Sequence, residues 1–134
     1  MTSKLTQSKI LSSKLQSLLL IEHDEPVKKG IALSLMDYFE EIQMTNNINE
    51  AIRIINEHVF SLVIVDTDLL TKSTNYSFLQ NIKTTKVFFL GSSKSESIHQ
   101  LMKQHNYQIF EKPVSIKELV NEIIILSNKR SNDV

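Results

Sequence analysis

Three short apolar runs along the chain predict strands buried inside a sheet. They cover residues 18–21 (LLLI), 62–65 (LVIV) and 87–90 (VFFL), and all are rich in branched or aromatic side chains. Continuous apolar runs of this length are typical of strands that are covered on both faces. Residues 41–44 and 108–110 form weaker segments, and we predict that these are edge strands.

The segments between these strands carry apolar residues at helical spacing. An apolar residue recurs every four positions at Val27, Ile31, Leu35 and Phe39. This spacing places all of them on one face of a first helix, and Pro26 suits its first turn. Further helices are predicted from these positions: Ile48, Ala51, Ile52 and Ile55, with Asn47 or Asn49 as cap; Phe78, Leu79 and Ile82; Ile98, Leu101 and Met102; and Ile116, Leu119, Val120, Ile123 and Ile124, with Ser115 as cap.

Strands that alternate with helices in this way indicate an α/β fold. The pattern predicts a parallel sheet with helices on both faces and right-handed crossovers. A length of 134 residues with 41% hydrophobic residues suits one domain with a single core. Residues 1–16 are basic and rich in Ser and Lys, and we expect a flexible extension there, a folded domain over 17–128 and a short tail over 129–134.

Composition and charge exclude several classes of function. Fifteen Lys and Arg balance fifteen Asp and Glu, so the chain lacks the basic excess that drives sequence-independent binding of nucleic acid. The absence of Cys excludes disulfides, thiolate nucleophiles and Cys-type metal sites. The apolar runs are far shorter than the ~20 residues that a membrane helix needs. We therefore expect a cytoplasmic protein that binds neither nucleic acid nor a membrane directly.

Polar residues that could carry chemistry follow several predicted strands. They are Glu22, His23 and Asp24 after the first strand, Asp66 and Asp68 after the third, Gly91 and Ser92 after the fourth, and Lys112 after the fifth. In a parallel sheet the carboxyl ends of the strands meet at one edge, so these residues should share a pocket suited to a divalent cation and a phosphoryl group. Asp66 is the strongest candidate, because a buried carboxylate at the end of an apolar strand is costly unless a cation pairs with it. Taken alone, Asp24 is more typical of a helix cap.

Over residues 17–128 the chain resembles the receiver domain of two-component response regulators. That family has an acidic pair after the first strand, a phosphoacceptor aspartate after the third, a hydroxyl residue after the fourth and Lys-Pro after the fifth. The matching positions are His23 with Asp24, Asp66, Gly91, and Lys112 with Pro113, and FEKP at 110–113 is the most specific signature. The resemblance implies a flavodoxin-like (βα)5 fold, a doubly wound parallel five-stranded sheet with strand order 2-1-3-4-5.

The resemblance also implies a chemistry. Asp66 would accept a phosphoryl group from a histidine kinase or phosphotransfer protein and form an acyl phosphate, assisted by Lys112 and Ser92. The implied Mg²⁺ ligands are Asp24, Asp66 and the backbone carbonyl of Asp68, with Glu22 or His23 in addition. The chain would then be a phosphoacceptor that catalyses only its own phosphorylation and dephosphorylation, and would not turn over a substrate.

Three positions depart from the family pattern. His23 stands in place of the first acid, and since Mg²⁺ prefers oxygen ligands, we expect weak magnesium binding. Gly91 lacks the expected hydroxyl, and Ser92 is one residue further along, where an extended chain reverses the side-chain direction. Ile109 replaces an aromatic switch residue, which predicts an altered readout.

The resemblance further implies signalling through the face formed by the fourth helix, fifth strand and fifth helix. That face would include His99, Lys103, Ile109 and Lys117. The expected partners are the phosphodonor protein, a downstream protein or effector domain, and a second copy of the chain. We expect either a stand-alone receiver or part of a longer regulator.

Two alternatives stay open. The departures leave open, as an alternative to phosphorylation of Asp66, an atypical receiver that acts by docking or dimerising without phosphorylation. Asp66, Thr67 and Asp68 also resemble the nucleophile motif of haloacid-dehalogenase-type phosphatases, in which the first aspartate attacks and the second is a general acid. That family needs acidic metal ligands after its lysine, and here only Glu118, Glu122 and Asp133 follow Lys112.

Overall fold

The computed structural model describes residues 14–70, 78, 82, 85–91 and 107–132. The elements in this part of the chain are β1 (Leu15–Ile21), α1 (Glu25–Leu35), β2 (Phe39–Thr45), α2 (Ile48–Glu57), β3 (Leu62–Asp66), β4 (Val87–Gly91), β5 (Gln108–Glu111) and α3 (Ile116–Asn132). A 3₁₀ turn, Thr67–Leu69, follows β3 directly. Among the described helices, none combines the length and the apolar composition that crossing a membrane requires. The fourth predicted helix lies outside the described residues, as does the third apart from Phe78 and Ile82.

The strands form one parallel sheet in the order β2-β1-β3-β4-β5. This confirms the predicted doubly wound, flavodoxin-like arrangement and the placement of β2 and β5 at the two edges. The strand order reverses between β1 and β3, so the crevice beyond the carboxyl ends of these two strands is where such folds place their ligands.

The core has two layers because alternate residues of each strand point to opposite faces of the sheet. One face is covered by α2, Phe78 and Ile82, and its strand residues include Leu19, Ile21, Val63, Val65, Val87 and Phe89. The other face is covered by α1 and α3, and its strand residues include Leu18, Leu20, Leu62, Ile64, Phe88, Leu90 and Phe110. Each fully buried side chain of this size stabilises the fold by about 1.5–3 kcal/mol, so the central strands hold the sheet edge in place.

Polar caps begin the three described helices, as the sequence predicts. Asp24 Oδ1 accepts a hydrogen bond from the backbone N–H of Val27 at 3.2 Å and begins α1. Asn47, and not Asn49, caps α2 by accepting from the N–H of Glu50 at 3.0 Å. The hydroxyl of Ser115 accepts from the backbone of α3 in the same way.

Three predicted boundaries differ from the structure. The prediction that Phe39 belongs to the first helix is wrong, because α1 ends at Leu35 and Phe39 begins β2. Leu15 is buried and pairs with Phe39, so β1 starts inside the segment predicted as an extension. At the other end of the domain, α3 continues to Asn132, beyond the predicted limit at residue 128.

Candidate functional site

The sheet brings three distant polar residues to one place at the carboxyl edge of the strands. Glu22, Asp66 and Lys112 each lie two positions beyond a core residue of the face covered by α1 and α3. Those core residues are Leu20, Ile64 and Phe110. Because side chains two positions apart share one side of a strand, the parallel register carries all three polar groups to the same side.

Asp66 is the centre of the site. It is the last residue of β3 and is fully buried. Its Oδ1 accepts hydrogen bonds from Lys112 Nζ at 2.9 Å and from the backbone N–H of Asp68 at 3.0 Å. Burial alone would raise the pKa of Asp66, but these donors and the lysine charge outweigh it and hold the pKa below its usual value. The site therefore keeps Asp66 ionised at neutral pH.

Lys112 supplies the positive charge in this arrangement. Its ammonium lies 2.9 Å from Asp66, 3.6 Å from Asp68 and 4.0 Å from Glu22. Burial works against its charged form, yet the carboxylates, above all Asp66, raise the pKa of Lys112 above its usual value. The peptide bond between Lys112 and Pro113 is cis.

Glu22 follows β1 and is the second fully buried carboxyl group. As a carboxylate it has no hydrogen-bond donor among the described residues, for either oxygen. Burial raises the pKa of Glu22 to about 8, and the neighbouring Asp66 carboxylate adds to the increase. Two buried carboxyl groups thus lie beside one lysine. Near neutral pH the raised pKa of Glu22 favours its protonated form, while Asp66 carries the negative charge that Lys112 balances.

His23 lies over the outer side of Asp66. Its side chain is 47% exposed, and Nδ1 contacts Asp66 Oδ2, where it forms an ion pair when the imidazole is protonated. The two oxygens of Asp66 therefore have different partners. Oδ1 faces the lysine and the backbone, whereas Oδ2 faces the imidazole.

One group of described residues has the arrangement of a metal site. It consists of Glu22, His23 and Asp66, whose ligand atoms all lie within 4.8 Å of one another. Asp24 is not part of this group, and its Oδ1 is used to cap α1. Mg²⁺ favours an octahedral shell of oxygen ligands, so this donor set, with one imidazole nitrogen, does not fit magnesium.

The close approach of Thr67 to Gly91 is a feature that the sequence did not reveal. A Cβ atom at Gly91 would lie 1.9 Å from Thr67 Oγ1 and 3.0 Å from Thr67 Cβ. The threonine side chain therefore fills the space that any side chain at position 91 would need. The hydroxyl of Thr67 thus lies where a side chain at position 91 would begin. The sequence features that could have predicted this contact are a threonine directly after Asp66 and a glycine at the end of the neighbouring strand β4.

A cavity of about 570 Å³ opens beside these groups, between α1 and α3. The polar residues that line it are Glu22, His23, Asp24, Ser34, Asp68 and Lys112. Asp24 and Lys112, which the sequence predicted to share a crevice, both line this cavity, and Lys112 contacts Asp66 from there.

The remaining predicted residues are spread more widely. Ser92, His99 and Lys103 lie outside the described residues. Ile109 in β5 is half-buried and packs against the core face covered by α2. Lys117 is exposed on α3.

The sheet order and the two helix layers define a flavodoxin-like fold, and an acid-lysine cluster lies at the carboxyl edge of its sheet. Solved structures confirm the fold, and many of those that match are response regulator receiver domains or CheY-like domains. A CheY-like receiver domain protein from Methanospirillum hungatei matches with a TM-score of 0.76 and 15% identity, over 90% of this chain and 100% of that one. The receiver domain of the Francisella response regulator 1452 matches with a TM-score of 0.70 and 21% identity, over 87% and 99%.

A third similar structure comes from the streptococci. It represents a family of redox sensors that evolved from two-component response regulators, and it matches with a TM-score of 0.72 and 14% identity, over 87% of this chain and 52% of that one. No family model and no curated protein matches the chain. At these identities the likeness shows the fold alone.

Proposed function

We propose that the chain is a receiver domain of two-component signalling in which Asp66 accepts a phosphoryl group from a histidine kinase or a phosphotransfer protein. The observation that carries this proposal is the pairing of Asp66 with Lys112 at the carboxyl edge of the sheet. A buried, ionised carboxylate beside an ammonium group suits a phosphoryl acceptor, because the carboxylate can attack as a nucleophile and the cation can pair with the phosphoryl oxygens. The fold that the chain shares with response regulator receivers supports the same proposal.

In this reaction a carboxylate oxygen of Asp66 attacks the phosphorus atom of a phosphohistidine. The new O–P bond forms as the P–N bond breaks, and its electron pair passes to the donor's imidazole nitrogen, which takes a proton. Lys112 neutralises charge on the transferred group as a compact cation. The lowered pKa of Asp66 keeps the nucleophile deprotonated at neutral pH.

The contacts of Asp66 indicate which oxygen attacks. Oδ1 is held by Lys112 and by the N–H of Asp68, whereas Oδ2 contacts the imidazole of His23. We therefore assign the attack to Oδ2. Since His23 is about half exposed, its side chain can turn away from Oδ2 towards solvent without a change in the core.

Intact-mass spectrometry after incubation with acetyl phosphate or phosphoramidate and a divalent ion tests the proposal. We expect the wild-type chain to gain one phosphoryl group and the Asp66→Asn variant to gain none. Asp68→Asn is the matched control, because Asp68 is exposed and close by, and this variant should still be modified. Equal modification of wild type and Asp66→Asn would contradict the proposal.

A second candidate is an atypical receiver that signals by docking or by dimerising without phosphorylation. The contact of His23 with Oδ2 favours it, because both oxygens of Asp66 then have partners within the chain. Sedimentation of the wild type and Asp66→Asn, each with and without phosphodonor, separates the candidates. Self-association that is equal in all four samples, without a mass gain, would favour this second function.

A further inference from the structure

Two buried carboxyl groups in the site share a single described cation. Glu22 and Asp66 are both fully inaccessible to solvent, and Lys112 is bonded to only one of them. The ammonium is 2.9 Å from Asp66 but 4.0 Å from Glu22, beyond hydrogen-bond distance. Glu22 therefore lacks a cation close enough to stabilise its charged form in this buried position, and a bound metal ion would supply one.

The unpaired oxygens converge on one point. As a carboxylate, Glu22 has no hydrogen-bond donor for either oxygen among the described residues, and Oδ2 of Asp66 has none either. One carboxylate oxygen of Glu22, one of Asp66 and one ring nitrogen of His23 lie within 4.8 Å of one another. The lining residues Glu22 and His23 border the cavity between α1 and α3, which gives an ion a route from solvent.

The chemistry of the donors selects the ion. Mg²⁺ prefers oxygen ligands in a rigid octahedral shell, whereas imidazole nitrogen suits Zn²⁺, Cu²⁺, Fe²⁺ and Ni²⁺. We propose that Glu22, His23 and Asp66 form a binding site for a divalent transition-metal ion of the Zn²⁺ class in preference to Mg²⁺. The site depends on these side chains and does not depend on phosphorylation of Asp66.

Isothermal titration of the full chain with Zn²⁺ or Mg²⁺, without any phosphodonor, tests the proposal. We expect one high-affinity Zn²⁺ per chain, bound at least about tenfold more tightly than Mg²⁺, in keeping with the ligand preferences of the two ions. The ring signals of His23 in NMR spectra should shift with Zn²⁺ and stay unchanged with Mg²⁺.

Substitution of the imidazole provides the most specific readout. His23→Asp should weaken Zn²⁺ binding by about 10–100-fold and strengthen Mg²⁺ binding, which reverses the preference. His23 is half exposed, so this variant should fold normally. His58→Ala, which removes an exposed imidazole at the end of α2, is the matched control and should bind Zn²⁺ like the wild type. Glu22→Gln should weaken the binding of both ions.

Several results would overturn the proposal. One is equal affinity of the wild type for Zn²⁺ and Mg²⁺, and another is the absence of Zn²⁺ binding. A third is Zn²⁺ binding that His23→Asp leaves unchanged, because the ion would then be bound by other histidines. The phosphoacceptor function is tested separately by the mass gain on Asp66. A chain that binds Zn²⁺ at His23 but gains no phosphoryl group would contradict only that function, and the reverse result would contradict only the metal site.

Discussion

The ammonium of Lys112 lies 2.9 Å from Oδ1 of Asp66, a fully buried carboxylate 46 positions earlier in the chain. Asp66 ends β3 and Lys112 follows β5, and β4 lies between these two strands in the sheet. The register of these strands therefore sets the contact that makes the burial of Asp66 tolerable.

Lys112→Met should destabilise the protein. The substitution leaves Asp66 buried without its cation, which costs about 1–3 kcal/mol at pH 7. The lower part of this range is expected, because the lysine side chain is 34% exposed and solvent screens its charge. Urea unfolding followed by circular dichroism measures the change. Lys117→Met removes an exposed lysine from α3 and should stay within about 0.5 kcal/mol of the wild type; equal stability of both variants would contradict the prediction.

Glu22→Gln should change how stability depends on pH. The pKa of Glu22 is about 8 in the folded chain, against an ordinary value of 4.5, so between these pH values the folded state binds a proton that the unfolded state has lost. Stability from this group therefore falls as pH rises from about 4.5 to about 8. The Glu22→Gln variant has no carboxyl group to lose this proton. Its free energy of unfolding should match that of the wild type near pH 5 and exceed it by at least ~1 kcal/mol at pH 9.

Unfolding free energies at pH 5, 7 and 9 test this prediction. Glu41→Gln is the control, because Glu41 is an exposed residue on the edge strand β2 and should show the wild-type dependence. A constant difference between Glu22→Gln and the wild type across this range would contradict the titration of Glu22.

Gly91→Ala should destabilise the protein because its new methyl group would overlap the side chain of Thr67, 1.9 Å from Oγ1. Overpacking of this kind costs about 1–3 kcal/mol. Thr67→Ala removes the overlapping hydroxyl, so the double variant should recover most of the loss. A double-mutant cycle from urea unfolding gives the interaction energy. Additive effects of the two substitutions would show that the two residues do not compete for one space.

Asp24→Ala should lose the N-terminal cap of α1. The loss of a cap costs about 1 kcal/mol. Asp24→Ser keeps an oxygen that accepts from the N–H of Val27, so it should cost only about a few tenths of a kcal/mol. Thermal or urea unfolding of both variants checks this difference. If both variants lost stability equally, the carboxylate charge and not the cap would be the stabilising feature of Asp24.

Much of the fold could be predicted from local patterns. Strand formation and helix capping depend on a few neighbouring residues, so they could be predicted without tertiary structure. This applies to the apolar runs at β1, β3 and β4 and to the polar caps Asn47 and Ser115. The same holds for Asp66, which directly follows the predicted third strand, and for Lys112, which comes two residues after the predicted fifth strand. Phe39 was misassigned because it continues the helical spacing of α1, although its pairing with Leu15 in the sheet decides its structure.

The sequence therefore determined by itself the order of the described strands and helices and the described residues available at the sheet edge. Only the tertiary structure decided which of them meet: Glu22 buried without a donor, His23 over Asp66, and Thr67 in the space beside Gly91. The physical reason is that these contacts join different strand ends. Their distances depend on how the strands pair and on the packing of both helix layers, and no local spacing encodes that.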